Sequence, residues 1–397
     1  MSPGASRQME SVPTASIEKL ASELVSVPSQ AGIDSAEPVL HRMAAWLDAH
    51  ALHPTFLTDH EGNNVALVAK CEAPIGRPSI CLNACLDTAP FGDANSWSFS
   101  PTDGSIVADR LRGRGSADSK IGASIIAHVA DFIAKGRLLE AGVIHLLFDA
   151  DEHTGQFGGV RSFIEHTSPA PQAVVLAYPG NEKLVVGARG FFRARISVFG
   201  TAAHSGATTR RGINAIDKLA VLISMQRDAP LPDASDEFPL GPVASITEIH
   251  GGRGFSQIPD KATCKIDIRI TPTFDASKAR MWLDELVVRL DTKVPSPTKT
   301  TIEFDQSWPA YVVDKNSDLV RSFLDAGQDA FNKPILPEIC GPSNIGNLLS
   351  TFGIPTICGL GVSYGNLHGA DESSDITTIP ASFCSYLTGT LNFLSRR

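Results

Sequence analysis

Short, continuously apolar runs that alternate with amphipathic helical patterns constrain the fold of this chain more than any other feature. The runs predicted to be buried strands are Ser79–Ala84, Val143–Phe148, Val174–Ala177 and Pro355–Cys358. Helical spacing of apolar residues begins near Thr14 and recurs at Ile121–Ile133 and Asp318–Asp325. Strands that are apolar along their whole length are typical of a sheet covered by helices on both faces. We therefore predict an α/β fold whose mostly parallel sheet is flanked by helices.

The middle of the chain, residues 188–306, has a different pattern. Its predicted strands are Phe191–Phe199, Val243–Ile249, Ala262–Ile270 and Thr300–Phe304, and its predicted helices are Ile213–Met225 and Ala276–Leu290. The order β-α-β-β-α-β is that of a ferredoxin-like unit. We predict a mobile tail at 1–13, a larger domain formed by 14–187 and 307–397, and an inserted domain at 188–306. The first two strands of the inserted domain are predicted to be able to lie at an edge of its small sheet.

The charge balance and the composition exclude several kinds of partner. The chain has 43 acidic and 34 basic residues, a net charge of −9, and no basic run, so we predict no nucleic-acid partner. No apolar stretch approaches the roughly 18 residues of a membrane span, and the first residues lack the apolar core of a secretory signal. The seven scattered cysteines are typical of free thiols in a reducing compartment, which predicts a cytoplasmic protein without a membrane partner.

Residues that can bind a metal or move a proton follow the predicted strands, where the sites of open α/β sheets lie. They are Cys85, Asp87, Asp118, Glu152, His153, Tyr178 and His368. Asp118 belongs to the run Gly113–Lys120 directly before a predicted helix, and Glu152 and His153 follow the second predicted strand. These donor types suit a divalent transition metal with a general base beside it.

The order and spacing of these motifs resemble a family of two-metal peptidases, that of acetylornithine deacetylase, succinyl-diaminopimelate desuccinylase and carboxypeptidase G. In that family an H-x-D motif, a G-R-G-x-x-D-x-K motif, a D-E-E-x-G motif, an E-P motif and a late histidine build the site. Here the corresponding residues are Cys85–Asp87, Gly113–Lys120, Asp151–Gly155, Tyr178-Pro179 and His368. The resemblance spans the chain from about Ile17 to its end.

The resemblance implies a hydrolase that cleaves an amide bond of a small N-acyl amino acid or peptide. It implies that Asp118 is a bridging metal ligand, that Glu152 is the general base and that Asp87 orients the ligand at position 85. It also implies that the inserted domain mediates formation of a homodimer, in which His204 from the partner subunit donates to the developing oxyanion. Arg269, with the loop around Ser343 and Asn344, is expected to bind a carboxylate of the substrate.

Three of the five usual metal ligands differ in this chain. Cys85 replaces the histidine of H-x-D, His153 replaces the second glutamate of D-E-E-x-G, and Tyr178 replaces the glutamate before proline. The metal ligands expected here are therefore Asp118, His153 and His368, with Cys85 as a fourth that would complete a tetrahedral zinc site. Tyr178 is expected to be a wall or a hydrogen-bond donor rather than a ligand. We predict one zinc ion and no well-formed second site.

Two other functions remain open from the sequence. The changed ligands also fit a non-catalytic relative that binds a small acyl amino acid and has lost its metals. In a metal-free alternative, Cys85 is the nucleophile of an acyl transfer, with His153 or His368 as its base. The presence of Asp118, Glu152 and His368 together favours the metal-dependent hydrolase.

Overall fold

A computed structural model describes residues 12–74, 77–209, 212–236 and 238–395. Residues 1–11, most of the tail that the sequence predicts to be mobile, lie outside these ranges. The chain forms two compact units. Unit 1 contains the residues up to Gly187, then Val313–Glu338, then the residues from Asn344 onward, and unit 2 contains Ala188–Val312 and Ile339–Ser343. Each unit is described by itself.

The strands share short lengths and predominantly apolar sequences. In chain order they are β1 Thr55–Thr58, β2 Asn64–Glu72, β3 Ser79–Cys85, β4 Ile106–Val107, β5 Arg110–Arg112, β6 Val143–Asp149, β7 Ala173–Leu176, β8 Lys183–Ala188, β9 Gly190–Phe199, β10 Ala203–His204, β11 Val243–Gly251, β12 Gln257–Ile258, β13 Lys261–Ile270, β14 Thr301–Trp308, β15 Tyr311–Val312, β16 Leu336–Cys340, β17 Thr356–Gly359, β18 Tyr364–Gly365 and β19 Ser373–Asp375.

The α-helices mostly carry one buried apolar face. In chain order they are α1 Thr14–Val25, α2 Glu37–Ala49, α3 Lys120–Gly136, α4 Gly158–His166, α5 Ala215–Asp228, α6 Ala276–Lys293, α7 Asp318–Phe331, α8 Ile345–Leu349 and α9 Ile379–Ser395. Helix α7 is longer than its apolar spacing predicted, because the Ser317 side chain caps its start and Asn332 ends it in a left-handed conformation. None of the helices in the described part combines the length and apolar composition that a membrane crossing needs.

The large sheet of unit 1 contains the order β1-β2-β6-β3-β7-β17-β8. At its centre β3 is parallel to both β6 and β7, and β7 is parallel to β17. The prediction of an α/β fold with a mostly parallel, helix-flanked sheet is confirmed. In the register of the parallel strands Cys85 lies opposite Asp149, and Asn83 lies opposite Leu176. The carboxyl ends of β3, β6 and β7 therefore meet at one edge, where the polar residues follow.

Helix α3 packs unusually close to this edge. A Cβ atom on Gly122 would lie 1.9 Å from the carbonyl oxygen of Ala177, so only glycine fits where the helix passes the end of β7. Most of the helix is buried, including the lysine at its first position, Lys120. Since Asp118 and Ser119 directly precede α3, the same close contact brings the loop that carries Asp118 to the edge of the sheet.

Unit 2 contains a four-stranded antiparallel sheet in the order β11-β13-β9-β14. Helices α5 and α6 bury their apolar residues against it, with Leu219, Leu283 and Leu290 in one cluster with Ile266 and Ile268. The prediction that Phe191–Phe199 can lie at an edge is wrong, because β9 is paired on both sides. The alternating pattern of β9 reflects one buried face rather than an edge position. Strand β11 is at the end of the order, in agreement with its prediction as an edge strand.

Candidate metal centre and catalytic site

The loop that carries Asp118 is built around one buried carboxylate. Glu372 has no exposed surface, and its Oε1 accepts hydrogen bonds from the backbone N–H groups of Gly115 at 2.9 Å and Ala117 at 3.0 Å. Its Oε2 accepts from Nη1 of the buried Arg114 at 2.5 Å. Sequence reasoning gave neither Arg114 nor Glu372 a role. The available sequence signal was their position, since Arg114 lies in the G-R-G run and Glu372 ends the run H-G-A-D-E that begins at His368.

Asp118 stands between two imidazoles. Its Oδ2 is 3.1 Å from Nε2 of His368 and 3.7 Å from Nε2 of His153, and one ligand atom from each of the three residues lies within 4.8 Å of the others. Nε2 of His153 is buried and has no hydrogen-bond partner in the described part of the chain. Burial raises the pKa of Asp118, but the two histidines lower it by more, so the carboxyl stays ionised. This donor set is a carboxylate and two imidazoles with an orphaned nitrogen, and it fits a divalent metal.

Asp87 orients His153 rather than the residue at position 85. Its Oδ2 accepts from the backbone N–H of His153 at 2.8 Å and lies 3.3 Å from Nδ1 of the same residue. The expectation that Asp87 orients position 85 is therefore corrected. The thiol of Cys85 instead contacts Ser119 Oγ at 3.2 Å and Asp118 Oδ1 at 3.7 Å. With Nδ1 held by a carboxylate, Nε2 of His153 is left to face Asp118, as in the carboxylate–histidine pairs that support metal ions.

The charges around His153 favour a cation at this position. Burial lowers the pKa of His153, but the carboxylates of Glu152 and Asp87 raise it by more, so that it lies well above its usual range. Glu152 Oε2 is 3.2 Å from His153 Nδ1. In the absence of metal the positive charge is a proton on the imidazole. A divalent ion on Nε2 would supply the same positive charge in its place.

Glu152 has the properties of a general base that works near neutral pH. Burial raises its pKa to about 7; His153 lowers it, and the charges of Asp118 and Asp87 raise it. A carboxyl that titrates near neutrality can take a proton and return it within one reaction cycle. The local reason for its position is that it follows β6 directly, in a loop whose Asp151 accepts from the N–H of Gly158 at the start of α4.

Cys85 and Tyr178 occupy the remaining strand ends as neutral groups. Burial raises the pKa of the Cys85 thiol well above its usual value, and the charge of Asp118 raises it further. Burial and the charge of Glu152 also raise the pKa of the Tyr178 phenol. A protonated thiol is a poor nucleophile, so this environment works against the metal-free acyl transfer. The Tyr178 hydroxyl is buried and makes no hydrogen bond of ordinary geometry in the described ranges, but it lies near enough to Glu152 to lower the pKa of that carboxyl.

The other expected site residues are distributed between the units. In unit 2, His204 is exposed in β10 and its Nδ1 accepts from the N–H of Gly206 at 3.0 Å. Arg269 Nη1 donates to Ser343 Oγ at 3.2 Å, and its Nε lies 2.8 Å from Asp267 Oδ1. In unit 1, the Asn344 side chain accepts from the N–H of Gly346 and caps the start of α8.

Sequence reasoning missed a second arginine beside Arg269. Arg189 Nε donates to the carbonyl oxygen of Gly341 at 3.2 Å and its Nη1 to that of Gly241 at 3.0 Å. Burial lowers the pKa of Arg189, and the charge of Arg269 lowers it further, so the two guanidinium groups are near each other. The only sequence signal was an arginine between Ala188 and Gly190, immediately before a predicted strand.

One edge of the α/β sheet presents a carboxylate, two imidazoles and a glutamic acid that titrates near neutral pH. This arrangement is typical of the metallopeptidase class of hydrolases. The profile of Peptidase family M20/M25/M40 matches residues 81–388, and the chain belongs to this family. Its members are hydrolases that act on amide bonds of acyl amino acids or peptides. The resemblance stated from the motifs is confirmed.

Individual relatives agree with this assignment. The chain is 28% identical over 282 residues to a succinyl-diaminopimelate desuccinylase from Xanthobacter autotrophicus, covering 68% of this chain and 72% of that protein. Its fold is similar to that of an M20 family metallo-carboxypeptidase from Sulfolobus solfataricus, with a TM-score of 0.76, 14% identity and coverage of 95% and 99% of the two chains. A dinuclear metal-binding peptidase of the M20 family from Bacillus subtilis gives a TM-score of 0.69 at 14% identity, with 96% and 98% covered.

Proposed function

We propose that this protein hydrolyses an amide bond of a small N-acyl amino acid or peptide with a single metal ion, zinc, held by Asp118, His153 and His368. The observation that carries the proposal is the placement of three ligand atoms within 4.8 Å of one another, with Asp87 behind His153. When bound, the metal would polarise the scissile carbonyl and lower the pKa of a water molecule.

Glu152 performs the proton transfers of this reaction. Its pKa of about 7 allows it to take the proton of the attacking water and to give that proton to the leaving amine. Its carboxylate is adjacent to the metal ligands, since Oε2 lies 3.2 Å from His153 Nδ1. This adjacency supports Glu152 as the group that takes the proton of a water at the metal.

The residues that would hold a second ion do not fit that purpose. In this family's pattern they correspond to Cys85, Asp118 and Tyr178. Burial raises the pKa of the Cys85 thiol and of the Tyr178 phenol, so a second ion there would have to displace a proton from each of two buried neutral groups. Cys85 also lies against Oδ1 of Asp118, whereas both histidines face Oδ2. The Cys85 sulfur still lies within 4.8 Å of ligand atoms of Glu152 and His153, so we propose that Cys85 borders the metal site rather than completing the set of Asp118, His153 and His368.

Substrate selection would come from unit 2. Asp267 accepts from both Arg193 and Arg269, so two guanidinium groups share one carboxylate there. The excess positive charge is suited to a carboxylate of the substrate, which Arg269 would bind together with Ser343.

A homodimer would complete the site. Among the described residues, strand β11 pairs only with β13, and its Val243 and Ile249 are exposed, which supports pairing with a second copy of the chain. In such a dimer the partner subunit's His204 would donate to the developing oxyanion. Sedimentation tests this: a species of one chain mass at micromolar concentration would count against it. The seven cysteines, none in a disulfide, support the proposed cytoplasmic location.

A substrate panel with a metal titration tests the proposed activity. Protein purified without chelator would be assayed against N-succinyl and N-acetyl amino acids and dipeptides, with Glu152→Gln as the inactive control. We expect turnover that requires metal and that is lost in Glu152→Gln. Binding of an acyl amino acid without turnover would instead support the non-catalytic relative.

A further inference from the structure

We propose that the hydroxyl of Tyr178 donates a hydrogen bond to the scissile carbonyl oxygen of the substrate, in the place where a second metal ion would act. This inference rests on the proposed amide hydrolysis and adds a catalytic residue to it. It is carried by a buried hydroxyl that makes no hydrogen bond of ordinary geometry in the described part of the chain, and that lies near enough to Glu152 to lower the pKa of that carboxyl.

The position of Tyr178 is fixed by its backbone. It follows β7, and a Cβ atom on Gly361 would lie 2.3 Å from the Tyr178 carbonyl oxygen. The preceding Ala177 is held in the same way by Gly122 of α3. Two close contacts on successive residues leave the strand end little freedom. The backbone that carries the phenol is therefore fixed, which favours a preorganised donor to a transition state.

The surroundings of the hydroxyl belong to the reaction centre. Tyr178 is 9% exposed, and the acidic groups whose charges act on it most strongly are Glu152, Cys85 and Asp118. A buried O–H without an acceptor is unfavourable, and proteins rarely leave one unpaired except where a ligand supplies the acceptor. For Tyr178 that acceptor would be the carbonyl oxygen of the substrate, held between Glu152 and the metal ligands.

The atoms of the reaction balance without a proton from Tyr178. Water adds to the carbonyl carbon as Glu152 takes its proton, and negative charge collects on the carbonyl oxygen. The C–N bond then breaks, and Glu152 returns the proton to the amine. Tyr178 keeps its proton throughout and contributes by a hydrogen bond that becomes stronger as the oxygen becomes negative.

Tyr178→Phe removes only the hydroxyl and is the test. Its matched control is Tyr386→Phe, since Tyr386 is also buried but its hydroxyl already donates to the Gly359 carbonyl oxygen at 2.6 Å. For the wild type and both variants we would measure kcat across pH, KM and the bound metal. We expect kcat of Tyr178→Phe to fall about 10²–10³-fold, the usual effect of one oxyanion donor. Metal content should stay unchanged, the inflection should move to higher pH because Tyr178 lowers the pKa of Glu152, and Tyr386→Phe should keep full kcat.

Three results would overturn the inference, and each has a different meaning. Unchanged kcat would mean that the hydroxyl does not touch the reacting atoms. A shifted inflection with an unchanged plateau would mean that Tyr178 serves Glu152 instead. Loss of metal would mean that the phenol is a ligand. Absence of turnover in the wild type would instead contradict the proposed function itself. That outcome is separate from the three above because it is seen in the unsubstituted protein.

Discussion

Replacing Glu372 by glutamine should destabilise unit 1 strongly, although the side chain keeps its shape. The pair of Glu372 with Arg114 is buried, with side-chain exposures of 0% and 2%. Removing one partner of a buried pair costs about 3–5 kcal/mol, because the other charge is left uncompensated. Arg114 keeps the carbonyl oxygens of Pro90 and His368 as acceptors, at 3.1 and 3.0 Å. We therefore expect Glu372→Gln to lower the free energy of unfolding by about 3 kcal/mol, the lower end of that range.

The assay is urea denaturation of metal-free protein followed by circular dichroism, with hydrogen exchange read on peptides that cover 113–120. The matched control is Glu338→Gln, which breaks an exposed pair with Lys183 whose side chains are 38% and 54% exposed. Such a surface pair contributes at most about 1 kcal/mol. The reasoning is refuted if Glu372→Gln loses no more than the control, or if exchange at 113–120 is unchanged.

Three further predictions concern the site and the core. Glu152→Gln should retain metal, measured by mass spectrometry, while kcat falls about 10²–10⁴-fold, because only the proton acceptor is removed. Tyr178→Glu combined with Cys85→His should raise the metal content from one ion to two, because both changes replace neutral groups by ligands. The pKa of His128 is lowered to about 4 by burial, so the free energy of unfolding should fall as pH falls from about 6.5 towards 4. Between pH 7.5 and 4.5 the loss attributable to His128 is about 2–3 kcal/mol, measured by urea denaturation, and His128→Gln should abolish it.

Each of these has a result that would contradict it. Full turnover in Glu152→Gln would remove its role as the base. A double variant that still binds one ion would show that the two substitutions are not what prevents a second site. The neutral form of His128 is satisfied by Ser124 O at 2.7 Å and Ser16 Oγ at 2.9 Å, so an unaltered pH dependence in His128→Gln would mean that its protonation is tolerated.

The strands of the large sheet could be predicted because they are buried on both faces. Every residue of β3 is buried, so its run is mostly apolar, and its internal polar residue Asn83 is paired with the carbonyl oxygen of Leu147. The polar residues that follow then mark the edge at which the site forms. This explains why Cys85, Asp118, Glu152, His153 and Tyr178 could be selected from the sequence as neighbours.

Side-chain partners could not be predicted in the same way. The family resemblance implied that Asp87 orients position 85, but tertiary structure brings Asp87 to His153, which follows a different strand. Glu372 is far from Asp118 in sequence, and only the folded loop makes it the acceptor of that loop's N–H groups. The alternating pattern of β9 shows that one face of the strand is buried. Central and edge strands of an antiparallel sheet share that pattern, so it does not indicate the position of a strand in the sheet.

The number of metal ions bound per chain tests the central claim most directly. Protein purified without chelator, equilibrated with excess zinc and freed of unbound metal would be analysed by inductively coupled plasma mass spectrometry, beside His368→Ala. The claim predicts one ion per chain in the wild type and strong loss in His368→Ala. Two ions in the wild type would contradict the single site, and no ion, or one that His368→Ala leaves in place, would contradict the ligand set of Asp118, His153 and His368.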